Sequence, residues 1–140
     1  MTMQNHLLQL SEFTKAYIAT ALWSSSASGV SEGDDYETLD AFGMHDIDAA
    51  TLAVMVADCE KFQADNAADL ADENCLRCGP DYGPAGHAGH DFWLTRNGHG
   101  AGFWDGDWQE PAATRLTAAA EAFGDFHFWV KDGVISGEQI

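Results

Sequence analysis

Two cysteines and two histidines are the side chains of this sequence whose types and spacing point most directly to chemistry: Cys75, Cys78, His87 and His90 read C-x2-C-x8-H-x2-H. Two thiolates and two imidazoles would close a tetrahedral shell around zinc, the donor set of a structural ion with no open catalytic position. The eight-residue gap is short and H-x2-H is tight for a finger, so reduced surface cysteines beside loop histidines are the competing reading. Zinc is the one cofactor the pattern suggests, and nothing else in the sequence requires one. A second set, His90, His99, Asp105 and Asp107, has the side chains of a hydrolytic metal site.

That second set falls within residues 89–108, GHDFWLTRNGHGAGFWDGDW. The Asn97-Gly98 dipeptide suits the positive φ angles of a two-residue type I′ turn, which predicts a β-hairpin centred there. On such a hairpin His90 lies at the open end and His99 beside the turn, roughly 20–25 Å apart at about 3.4 Å per residue. One ion cannot hold both. His90 and Asp105 face each other in that register, but a lone His and Asp at a strand end is an ordinary surface pair. The sequence has no nucleophile elbow, P-loop or H-E-x-x-H string, so no enzyme is expected.

GHDFWLTRNGHG resembles a signature that recurs in short acidic proteins encoded by bacteriophages, prophages and plasmids. Looser likeness extends to ALWSSS (21–26), DCEKF (58–62) and the closing strand. The resemblance implies a genomic setting, a bacterial host cytoplasm, rather than an activity. It brings no fixed C-x2-C with it, so zinc would be particular to this chain.

Charge is the second feature that bears on function. Asp and Glu number 23 against 6 Lys and Arg, a formal net charge of −17. Fifteen of those acids lie in residues 31–91, against only Lys61 and Arg77. Such a surface repels nucleic acid and anionic membranes, and its natural partners are cations or basic protein grooves. Asp58, Asp65, Asp69 and Asp72 recur at spacings that would form an acidic ridge on one long helix, with Asp34, Asp35 and Glu37 in a neighbouring acidic loop. Carboxylates four helical residues apart rise about 6 Å, close to two phosphate steps of about 3.4 Å, so the ridge could occupy a DNA-binding groove in place of DNA. With the phage and plasmid setting, this favours an accessory protein that inhibits a host restriction, CRISPR or repair protein through its acidic surface.

The alternative is a zinc-stabilised adaptor or homodimer. Its contact face would be Trp93, Trp104 and Trp129, since tryptophan is enriched at interface hot spots. With only 6 Lys and Arg, stacking of single-stranded nucleic acid on those rings is disfavoured.

The elements that must position these groups follow from periodicity. Ser11 can cap a helix over Glu12–Ser24, and Asp48 can cap a second carrying Leu52, Met55, Val56, Cys59 and Phe62 on one stripe. Residues 25–47 read as an acidic loop and 73–90 as a Cys/His loop. Pro111 suits the first turn of a third helix, ended by Gly124. Phe126, Phe128 and Val130 alternate as a strand that Asp132-Gly133 turns into a last one. The expectation is a single α+β domain over residues 1–140, ordered ααββαββ: an antiparallel sheet of about four strands, in two hairpins, with about three helices on one face. No apolar run approaches the roughly 20 residues of a membrane span, and residues 1–10 lack the basic start of a secretion signal. A cytoplasmic protein is expected.

Overall fold

A computed structural model describes residues 10–26, 36–78 and 83–139. Four α-helices precede a two-stranded antiparallel sheet among these residues: α1 (Glu12–Ser24), α2 (Ala49–Asp65), α3 (Gly83–Arg96), α4 (Ala112–Glu121), β1 (Phe126–Lys131) and β2 (Val134–Gln139).

The first two helices form as their sequences direct. The Thr14 amide donates to Ser11 Oγ (3.2 Å) at the start of α1, and the Thr51 amide donates to Asp48 Oδ1 (2.7 Å) at the start of α2. Each cap satisfies an amide that the first turn leaves without a helical partner. Phe13, Tyr17, Ile18 and Ala21 bury one face of α1, and Leu52, Met55, Val56, Cys59 and Phe62 bury one face of α2. Cys59 is core filler, as expected. The final hairpin also forms as expected, because Asp132 and Gly133 take φ of 53° and 77° and pair Lys131 with Val134. Its second strand runs on to Gln139.

Residues 89–108 depart from expectation. Their first part is the end of α3 and the rest is a loop, so the αα, ββ, α, ββ order becomes four helices and one hairpin. Gly98 does take a positive φ of 69°, but as a helix terminator. The His99 amide donates to the Leu94 carbonyl (3.0 Å) and the Gly98 amide to the Thr95 carbonyl (3.2 Å), the bonding pattern of a Schellman cap. A left-handed glycine serves a hairpin turn and a helix end equally well, so Asn-Gly alone does not distinguish them.

The sequence pattern was silent because α3 is enclosed. Asp91, Phe92, Trp93, Leu94, Thr95 and Arg96 are all buried, leaving no polar face to create an amphipathic period. Gly89 lets α3 approach α1 closely: a Cβ there would collide with the Phe13 carbonyl. Phe92 stacks on Phe62 with ring centroids 4.2 Å apart, and Trp93 stacks on Phe128 at 5.4 Å. Burying each such ring contributes on the order of 2–3 kcal/mol, which outweighs the poor helix propensity of the glycines. Gly102 is also required by packing, since a Cβ there would meet the Thr95 side chain.

Outside the helices, Ile47 bridges Ile135 in parallel, and the Asp48 amide donates to the Ile135 carbonyl (2.8 Å). That contact seats the start of α2 on the hairpin. No helix among the described residues is long and apolar enough to cross a membrane.

Candidate functional site

Read as helix rather than loop, the residues after Gly83 place His87, His90 and Asp91 at positions i, i+3 and i+4 of α3, on one side of it. Asp107 reaches them from the loop that follows. His87 Nε2 lies 3.0 Å from Asp107 Oδ2 and 3.3 Å from Asp91 Oδ2. One ring nitrogen therefore sits between two carboxylates.

Asp91 is only 1% exposed and is held at both oxygens. Trp108 Nε1 donates to Oδ2 (2.8 Å), and His90 Nδ1 lies 3.1 Å from Oδ1. Burial pushes the Asp91 carboxyl up, but hydrogen bonds from His87, His90 and Trp108 outweigh it and hold the group below the usual carboxylate range. The complementary effect appears at His87: its hydrogen bond to Asp91 raises the imidazole above its ordinary value, against burial and with help from both carboxylate charges. Asp91 is thus ionised, and His87 is biased towards holding a proton.

Backbone contacts fix Asp107. The Leu76 and Arg77 amides donate to its carbonyl (2.7 and 3.3 Å), and Cys75 bridges Trp108 in antiparallel fashion. Cys75 and Cys78 are joined in a disulfide beside this contact. As a disulfide they offer no thiolate, so the expected Cys75, Cys78, His87, His90 zinc shell is not assembled; His87 turns to Asp91 and Asp107 instead. The hydrolytic set is not assembled either. Asp105 Oδ2 accepts from the Gly102 amide (3.2 Å), His99 is exposed beyond the end of α3, and His90 faces Asp91.

The acidic ridge is broken up by internal pairing. Helix α2 stops at Asp65. Asp58 accepts from the buried Arg96 (2.9 Å), Asp65 from Lys61 (2.7 Å) and Asp69 from Arg115 (2.6 Å). Asp72, in a short 3-10 turn, and Glu37 are exposed, while Asp34 and Asp35 lie outside the described residues. The proposed tryptophan face is likewise divided. Trp93 is 1% exposed and donates to Ser24 Oγ, Trp129 is half-buried, and Trp104 is 53% exposed. Trp93 lies on the enclosed helix α3 rather than on a strand face.

Asp91 and Arg96 were not singled out by sequence reasoning. The signal for Asp91 was present in the i, i+4 pair His87–Asp91, which becomes visible only once the segment is read as helical. No protein-family model, curated protein or solved structure matches this chain.

Proposed function

We propose that this protein is a non-catalytic binding protein whose excess negative charge engages a basic surface on a nucleic-acid-handling protein, in place of the nucleic acid. One observation carries the reading. Four of the 6 Lys and Arg residues, Lys15, Lys61, Arg96 and Arg115, are engaged in internal ion pairs. The other two bases, Arg77 and Lys131, are far too few to offset the acids of a chain with 23. The surplus needs counter-charge from outside, and a Lys/Arg-rich groove supplies it at many points at once.

The excess charge supports this reading; a phosphate-like spacing of carboxylates does not, because Asp58, Asp65 and Asp69 hold partners of their own and Asp72 lies beyond the end of α2. The contact is therefore assigned to exposed acids such as Glu60, Asp72 and Glu73. The likeness to phage and plasmid proteins directs the choice of partner towards host restriction, CRISPR or repair proteins. Reversing charge at Glu60, Asp72 and Glu73 together should abolish capture of the partner from host lysate, while Asp58→Asn should leave capture by the folded fraction intact. Equal capture by the triple reversal and the parent protein would remove the acids from the interface. A second reading, self-association, is favoured by the exposure of Trp104 and Leu76, at 53% and 57%. A sedimentation coefficient independent of concentration, or unchanged by Trp104→Ala, would exclude Trp104 from it.

A further inference from the structure

We infer that His87, Asp91 and Asp107 form a binding site for one first-row divalent metal ion of the zinc, cobalt or manganese type. The inference is independent of the acidic-surface reading. One ligand atom from each residue lies within 4.8 Å of the other two. Metal–nitrogen and metal–oxygen bonds of about 2.0–2.2 Å place neighbouring ligand atoms about 3.0–3.5 Å apart around a shared ion. The observed Nε2–Oδ2 separations of 3.0 and 3.3 Å fit that requirement.

Hydrogen-bonding capacity gives the same answer. His87 Nε2 carries at most one hydrogen, so it cannot donate fully to two carboxylates. Both carboxylates nonetheless crowd that one nitrogen, beside an Asp91 that is 1% exposed. A divalent ion among the three ligand atoms would contact both carboxylates and the ring nitrogen at once. The imidazole ligand selects a transition ion over magnesium or calcium, which favour all-oxygen shells.

The supporting contacts are those that orient metal ligands. Trp108 Nε1 and His90 Nδ1 fix the Asp91 carboxylate from the two sides, at 2.8 and 3.1 Å. Asp107 is held by the backbone bonds from Leu76 and Arg77. Three protein ligands leave at least one coordination position for water, and the ion ties α3 to the loop carrying Asp107.

The site is tested with cobalt(II) and zinc(II) on chelator-stripped protein, by calorimetry and by visible absorption of the bound cobalt. Carrying Cys75→Ser and Cys78→Ser in every sample removes thiol ligation. The expected result is one ion per chain, with affinity lowered at least about 10-fold by His87→Gln, by Asp107→Asn and by Trp108→Phe, but not by the surface control Glu121→Gln. Both ligand substitutions are at partly exposed positions, and near-UV circular dichroism identifies folded variants; if one unfolds, the other decides. Absence of saturable binding in the double-serine background would overturn the inference, as would undiminished binding in the folded ligand variants, which marks diffuse attraction to the acidic surface.

Discussion

Arg96 is 2% exposed, and each of its three guanidinium nitrogens finds an acceptor. Nη1 donates to Tyr17 Oη (3.0 Å) and Asp58 Oδ2 (2.9 Å), Nε to the Gly124 carbonyl (2.8 Å) and Nη2 to the Phe123 carbonyl (3.1 Å). The guanidinium thereby joins α1, α2 and the turn before β1. Burial pushes the Tyr17 hydroxyl far up, with the guanidinium acting against it, so Tyr17 remains a neutral partner. Removing one member of such a pair leaves the other uncompensated: Arg96→Met and Asp58→Ala should each cost about 3–5 kcal/mol, read from urea unfolding midpoints. A loss below about 1 kcal/mol for both would mean that the pair is not structural. Composition alone cannot separate Asp58 from the other acids, because the base that neutralises it comes from a distant part of the chain. Asp48 gives a pH test at the same scale. Burial pushes its carboxyl up, but hydrogen bonds from Ser136 and Thr51 outweigh this and leave it below its ordinary value. A depressed folded pKa contributes stability above the unfolded value of about 3.9 and loses it as pH falls through the folded value. Asp48→Asn should therefore flatten the fall in unfolding midpoint between about pH 5 and 3; an unchanged slope would reassign the acid sensitivity.

At the scale of elements, α3 determines how much was legible. Helices α1 and α2 could be read from Ser11, Asp48 and an apolar stripe, and the last hairpin from alternation and Asp132-Gly133, because each has an exposed side to contrast with its buried one. Helix α3 has almost none, and its Asn97-Gly98 end mimics a hairpin turn. Its final residues are also engaged locally. Thr95 Oγ1 accepts from the Phe103 amide (3.1 Å), and Asn97 Oδ1 accepts from the Phe126 amide (2.8 Å). The string LTRNGHG therefore acts largely as scaffold. The His87, Asp91, Asp107 group was hidden by the same error, since a loop gives no reason to pair positions four apart. Gly89→Ala tests the packing. Alanine should favour the helix by about 1 kcal/mol in isolation, yet the collision with the Phe13 carbonyl should make the substitution destabilising by about 2–3 kcal/mol. A neutral or stabilising effect on thermal unfolding would contradict the close approach of α1 and α3.

The whole molecule is best described by its imbalance of charge. Four of its six bases are engaged in ion pairs within the chain, and the acids left over include exposed positions on α2, the 3-10 turn at Asp72 and the loops. Such a surface attracts basic partners over distances set by the Debye length, about 10 Å at 0.1 M salt. Association should therefore weaken steeply between about 50 and 300 mM salt, chiefly through the association rate. The most direct measurement of the central claim is competition: partner captured on immobilised protein is challenged with excess duplex DNA at constant ionic strength. The account predicts that the partner binds nucleic acid and is released by DNA in proportion to that affinity. Capture unaffected by DNA or salt, or a partner with no affinity for nucleic acid, would contradict it.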